Sequence, residues 1–116
     1  DASVLVMSPM DRGQRDGTGQ IVTVPSLPRL VEIQRQTAAE MGCAFFNTFQ
    51  AMGGAGTMAR WYESQPRLVS ADFTHTLPAG ARKVGVLLDE ALEAGYRQYQ
   101  AKHRTQLAQG SGEAKR

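Results

Sequence analysis

The sequence predicts an α/β fold with parallel strands, on the basis of three observations. Residues 3–8 and 43–48 are short apolar runs of the kind that form strands buried on both faces of a parallel sheet. Between them, apolar residues recur at helical spacing, and a longer helical pattern follows residue 76. A strand, a helix and a second strand in this order form a βαβ unit, whose crossover is expected to be right-handed.

The first helix is predicted from its ends and its apolar spacing. Ser26 precedes it as a candidate N-cap, Pro28 fits the first turn, and Gly42 is a natural C-terminal stop. The apolar residues expected to be buried are Leu27, Leu30, Val31, Ala38 and Met41. Before this helix, residues 11–20 are polar and glycine-rich without periodicity, which predicts a mobile loop, whereas residues 21–24 predict a short extended segment.

The last helix has the clearest pattern. Thr76 is a candidate cap and Pro78 fits the first turn. Its predicted buried face, spaced by three and four, consists of Val84, Leu87, Leu88, Ala91, Leu92, Gly95, Tyr96 and Tyr99. The pattern fades after Lys102, so we expect a folded portion over residues 1–109 and a disordered tail over residues 110–116. Residues 50–57 predict a glycine-rich turn and residues 58–62 a short helix.

Composition limits the classes of protein and of partner. A chain of 116 residues fits one small domain, and its formal charge of +2 comes without a dense basic patch, so nucleic-acid binding is not expected. The single cysteine, Cys43, excludes an internal disulfide and is interpreted as a buried, inert thiol. We see no signal peptide and no apolar run long enough to span a membrane. Because two strands and two helices bury little surface alone, we expect the chain to be part of a larger α/β domain.

Asp72 and His75 are the residues in the sequence that most clearly suggest catalysis. They lie three residues apart, just before the last helix. A carboxylate that orients a histidine, with that histidine as general base, makes up two thirds of a hydrolytic triad. The alternative is that both are ordinary loop residues that cap the helix. A metal site is not expected, because these two residues, Cys43 and His103 lack the spacing of zinc ligands, and His103 is interpreted as a solvated surface histidine.

The run Asp-Phe-Thr-His-Thr-Leu-Pro-Ala-Gly over residues 72–80 resembles the last conserved block of the SGNH, or GDSL-type, esterases and acylhydrolases. The upstream run Gly-Gly-Ala-Gly-Thr-Met over residues 53–58, together with Trp61, is similar to members that remove O-acetyl groups from polysaccharides or peptidoglycan. This resemblance covers residues 4–96. It implies the C-terminal part of a three-layer α/β/α sandwich with parallel strands, a periplasmic or secreted location, and no cofactor.

The resemblance also implies roles for individual residues. His75 would be the general base and Asp72 the carboxylate that orients it, while Gly54, Gly56, Trp61 and Thr74 would bind an acylated small molecule or glycan. Two alternatives without a role in substrate binding remain open, namely that the glycines form a plain turn and that Trp61 only packs beside the cleft.

The chain departs from the family pattern in one major respect. The serine, oxyanion-hole glycine and asparagine blocks of the family are absent, and neither Asn47 nor any serine has the expected context. We therefore expect the nucleophile to come from an N-terminal half of the same domain, so that this chain alone is inactive. A non-catalytic binding or scaffold subunit and an acyltransferase are the alternatives.

Overall fold

The computed structural model describes residues 1–114, which form a mixed α/β fold. Its elements in chain order are β1 (Leu5–Met7), β2 (Gly13–Arg15), β3 (Ile21–Thr23), α1 (Leu27–Glu40), β4 (Ala44–Phe46), α2 (Thr48–Ala51), α3 (Thr57–Glu63) and α4 (Pro78–Ala114).

The predicted parallel pairing of the two apolar strands is confirmed. β1 lies beside β4 in parallel register, with Leu5 opposite Ala44 and Met7 opposite Phe46. α1 connects the two strands and packs against β4. Within the described residues the parallel sheet has two strands, so the α/β class is present in its smallest form.

The expectation that β1 is buried on both faces is wrong for this chain. Val4, Leu5 and Met7 are exposed, and only Val6 is half-buried. The prediction followed from an apolar composition that suits a strand covered on both faces, whereas in the described chain β1 has a single neighbouring strand. Cys43, expected to be buried, is likewise half-buried.

The expectation of a mobile loop over residues 11–20 is also wrong. This segment contains β2, which pairs antiparallel with β3 to form a hairpin. Asp16 closes the hairpin turn, because its Oδ1 accepts hydrogen bonds from the backbone N–H groups of Thr18 and Gln20 and from the Thr18 hydroxyl. The strand β2 was not predicted, because its glycine and arginine residues are not typical of strands. Its partner β3 corresponds to the extended segment that was predicted over residues 21–24.

Helix α1 begins where predicted, but two of the five residues predicted to form its buried face are exposed. Ser26 occupies the N-cap position without a side-chain capping hydrogen bond. Leu27, Val31 and Ala38 are buried, as expected. Leu30 and Met41 are exposed, so the expectation that they belong to the core is wrong.

The core lies between the hairpin, the two short helices and the start of α4. Met52, Met58, Val69 and Phe73 form its buried centre. The partly buried hydrophobic residues packed against it are Met10, Ile21, Trp61, Tyr62 and Leu87. The second strand is shorter than predicted, because Asn47 caps α2 by accepting the backbone N–H of Gln50. The predicted short helix is present as α3.

Helix α4 is longer and more exposed than predicted. Val84, Leu87 and Leu88 are half-buried, but the rest of the predicted face is exposed: Ala91, Leu92, Gly95, Tyr96 and Tyr99. The helix continues to Ala114 through residues for which a disordered tail was expected, while residues 115 and 116 lie outside the described chain. The first turns of α4 therefore pack against the rest of the protein, and the remainder of the helix extends away from it into solvent.

Candidate active site

The loop that carries Asp72 and His75 is closed by a short antiparallel stem. Val69 and Thr76 form an isolated β-bridge, and the Ser70 N–H donates to the His75 carbonyl at 2.8 Å. Val69 is fully buried, so one side of the stem is anchored in the core. The loop of residues 70–75 is therefore a compact turn with a fixed base.

Phe73 holds this loop in an unusual backbone conformation. Its φ angle is 57°, in the left-handed region that costs a residue with a side chain about 1–2 kcal/mol. The ring is buried, with the Tyr62 ring edge-on at a centroid distance of 4.9 Å and the Arg15 guanidinium 5.2 Å from its centre. This packing retains the strained conformation, while the side chains of Asp72 and His75 in the same loop stay exposed.

The two carboxylate oxygens of Asp72 accept hydrogen bonds from different groups. Oδ1 accepts hydrogen bonds from the Ser70 hydroxyl at 2.7 Å, the Thr74 N–H at 2.9 Å and the His75 N–H at 3.0 Å. Oδ2 lies 2.5 Å from Nδ1 of the His75 imidazole. One oxygen thus orders the loop, and the other holds the ring.

These contacts also set the charge of Asp72. The backbone N–H of His75 is the largest cause that lowers the Asp72 pKa, followed by the Ser70 hydroxyl, the His75 ring and the Thr74 N–H. The carboxylate is therefore ionised throughout the neutral range. Because an ionised carboxylate can only accept, Nδ1 of a neutral His75 ring carries the proton and Nε2 presents its lone pair.

Three serine hydroxyls, those of Ser8, Ser64 and Ser70, make hydrogen bonds to groups other than the His75 ring. Ser70 donates to Asp72, and Ser64 donates to the carbonyls of Trp61 and Pro66. Ser8 is buried and accepts the backbone N–H of Phe49. Within residues 1–114, the one recorded side-chain hydrogen-bond partner of the His75 ring is Asp72.

The glycine-rich turn is explained by its own hydrogen bonds. Gly54 and Gly56 have positive φ angles of 72° and 82°, which favour glycine. The Gly54 N–H donates to the Phe49 carbonyl, and the Gly56 N–H donates to the Thr23 hydroxyl. Arg60 reaches back over the turn to the carbonyls of Gly53 and Ala55. Since both N–H groups have protein acceptors, a substrate contact by these glycines stays a prediction.

Trp61 and Thr74 are placed differently from one another. Thr74 belongs to the loop itself, because its N–H and its hydroxyl both donate to Asp72. Trp61 is half-buried against the core and lines a groove of about 520 Å³ beside the first turns of α4, together with Arg82 and Lys83. Neither Thr74 nor His75 lines this groove, so the two predicted substrate contacts, Trp61 and Thr74, do not share one cavity.

Asp11 belongs to the segment for which a mobile loop was predicted, but the structure shows a buried carboxylate. It is 2% exposed. Its Oδ1 accepts from the Arg12 N–H and the Thr23 hydroxyl, and its Oδ2 accepts from the Met58 N–H in the first turn of α3. Asp11 thereby connects the hairpin to α3. Met58 of α3 packs in the same core cluster as Phe73.

Two supporting residues were not identified from the sequence. Ser70 bonds to Asp72 two positions later, a spacing at which side chains commonly order a turn, so this signal was available. Gly13 approaches Phe73 across 60 positions of sequence, and no local pattern indicates such a contact.

Comparisons with protein-family models, with curated proteins and with solved structures found no match for this chain. Within residues 1–114, no cluster of three histidine, cysteine or acidic side chains could hold a metal ion. No helix in the same range is long and apolar enough to cross a membrane.

Proposed function

We propose that this chain supplies the general base and the orienting acid of an SGNH-type serine esterase. The observation that carries the proposal is the pairing of Asp72 Oδ2 with His75 Nδ1 at 2.5 Å, in a loop whose other contacts fix the carboxylate. In this role Nε2 of His75 takes the proton of a serine hydroxyl as it attacks an ester carbonyl, and then gives it to the leaving alcohol. Asp72 stabilises the imidazolium that forms between these steps.

The exposure of the pair supports a nucleophile from outside the chain. The side chain of His75 is 79% exposed and that of Asp72 is 50% exposed. A histidine base works from a partly enclosed site, where water is excluded and hydrogen bonds are strong. We infer that an N-terminal half of the same domain covers this loop and brings a serine to Nε2.

The exposed apolar strand supports the same arrangement at the level of the fold. β1 carries Val4, Leu5 and Met7 in the open, although such residues favour the covered strands of a parallel sheet. Further strands beside β1, with helices on both faces, would complete a three-layer α/β/α sandwich. The substrate class, O-acetyl groups on a carbohydrate or cell-wall glycan, and a periplasmic or secreted location follow from the sequence resemblance.

The test uses the longer polypeptide that includes the residues preceding Asp1, with p-nitrophenyl acetate as substrate and a fluorophosphonate as a label for an activated serine. We expect hydrolysis and labelling, and a His75→Ala variant should lose roughly 10²–10⁴-fold in kcat. Gln14→Ala, an exposed substitution on β2, is the control and should leave kcat unchanged. The 116-residue chain alone should be inert.

Two outcomes would count against the proposal. Hydrolysis by the 116-residue chain that depends on His75 would show that the nucleophile lies within the chain. A longer polypeptide that neither hydrolyses the ester nor takes the label would leave the loop with an architectural role, as in a binding subunit.

A further inference from the structure

Most of helix α4 extends beyond the body of the protein. The helix has 37 residues, which corresponds to a length of about 55 Å. Leu87 and Leu88 are its last half-buried residues, and every residue from Asp89 to Gly112 is exposed. Most of the stability of helices in proteins comes from the packing of an apolar face, so a helical segment that carries such a face in the open is expected to have a partner.

The exposed part carries a stripe of leucine and aromatic side chains, including one histidine, which we call the α4 stripe. It consists of Leu92, Tyr96, Tyr99, His103 and Leu107, spaced by four, three, four and four residues on one face of the helix. Its large apolar members are between 53% and 63% exposed. The rings of Tyr99 and His103 stack at a centroid distance of 5.8 Å, and a shallow hollow of about 290 Å³ lies between Tyr96 and Arg104.

The remainder of an α/β domain is too small to cover this stripe. A strand of five or six residues spans about 17–20 Å, roughly the length of the first three or four turns of α4. Those turns, residues 78–88, are the ones that already contact the body. The stripe begins beyond them, so its partner is expected to be another helix rather than a sheet layer.

The distribution of charge along α4 identifies that helix. Asp89, Glu90 and Glu93 precede the centre of the stripe, and Lys102 and Arg104 follow it. Two copies in parallel register would place acid opposite acid and base opposite base. Two antiparallel copies place each acidic segment beside the basic segment of the other. We propose that the α4 stripe pairs with the α4 stripe of a second copy of this chain, in antiparallel orientation.

The spacing of the stripe fixes the register of the pair. With the two-fold axis at residues 97 and 98, Tyr96 of one copy faces Tyr99 of the other, and Leu92 faces His103. Antiparallel helices bring the same flank of each copy together. Asp89 and Arg104 lie on the same side of the stripe, fifteen residues or about four turns apart. In this register each Asp89 lies two residues from the position opposite the Arg104 of the other copy, within reach of its side chain.

The first test is the association state of the 116-residue chain by sedimentation equilibrium. We expect a reversible dimer. A Tyr96→Glu substitution places a charge in the stripe and should raise the dimer dissociation constant by about tenfold or more. Ala101→Glu introduces the same charge on the opposite face of α4 and should leave the constant unchanged. A monomeric chain, or equal effects of the two substitutions, would overturn the proposal.

The second test separates the two orientations. In a Cys43→Ser background, Leu92→Cys and His103→Cys variants are mixed in equal amounts and oxidised, and the products are separated by mass. The antiparallel pair predicts mainly the mixed disulfide, whereas a parallel pair predicts two symmetric disulfides. A predominance of symmetric products contradicts the proposed orientation. Because neither test measures hydrolysis, their outcome is independent of the proposed esterase function.

Discussion

Gly13 and Phe73 are in direct backbone contact although 60 positions of sequence separate them. The Gly13 N–H donates to the Phe73 carbonyl at 2.8 Å, and a Cβ atom on Gly13 would lie 2.9 Å from the Cβ of Phe73. That separation is shorter than real Cβ atoms show. The β2–β3 hairpin is therefore part of the support of the Asp72–His75 loop.

A Gly13→Ala substitution should destabilise the protein and loosen that loop. The new methyl group also meets Ile21 at 3.1 Å, so Phe73 or the hairpin has to shift, at a cost of about 1–3 kcal/mol. Urea unfolding measures the loss. Gly17→Ala, in the hairpin turn with no atom within 4 Å of its Cβ position, is the matched control. Equal effects of the two alanines would contradict the steric explanation.

Replacing Asp11 by Asn should be costly despite the similar shape. If the amide oxygen accepts from the Met58 N–H, the amide nitrogen faces the Arg12 N–H, which is also a donor. A buried donor then lacks an acceptor, and we expect a loss of about 2–4 kcal/mol of unfolding free energy. The exposed Glu40→Gln substitution makes the same chemical change and should stay within about 0.5 kcal/mol. Urea unfolding measures both losses. Equal unfolding midpoints for the two variants would show that Asp11 does not connect the hairpin to α3.

The contribution of Asp72 to stability should depend on pH. Its pKa in the folded state is below the ordinary value of 3.8, so folding favours the ionised form. The stabilisation is complete above the ordinary value and is lost as pH falls from there toward the lowered pKa. The difference in urea midpoint between the wild type and Asp72→Asn should therefore be largest at neutral pH and narrow in acid.

A Ser70→Ala variant keeps the carboxylate and removes one of its donors. The difference in urea midpoint between the wild type and Ser70→Ala should also be largest at neutral pH and decrease in acid, but it should be smaller than the difference for Asp72→Asn. A difference between wild type and Asp72→Asn that stays constant into strong acid would contradict the assignment of the Asp72 contacts.

The parts of the fold that could be predicted from the sequence are those set by local spacing. The apolar runs of residues 3–8 and 43–48 predicted a parallel pair, and Pro28 and Pro78 marked the starts of the two long helices, which the structure confirms. The proximity of Asp72 and His75 was predictable for the same reason, because three residues separate them within one turn.

Contacts between distant segments could not be predicted in this way. β2 contains glycine and arginine, and it becomes a strand because β3 pairs with it. Asp11 is buried because Thr23 and Met58 supply donors from two other segments. The exposure of Leu30 and Tyr96 was missed because helical spacing shows which face is apolar, but does not show what covers it.

The hydrogen bonds of the two Asp72 oxygens, one to the loop and one to the His75 ring, have a consequence for the binding of another polypeptide at this loop. Each recorded side-chain hydrogen bond that orients the His75 ring, or the carboxylate that holds it, comes from residues 70–75. The conformational entropy of aligning that imidazole is therefore lost when this short loop folds, and not when another polypeptide binds. In the proposed esterase, a segment that delivers a hydroxyl to Nε2 would meet a ring already in position, so its binding free energy would be available for placing the hydroxyl alone.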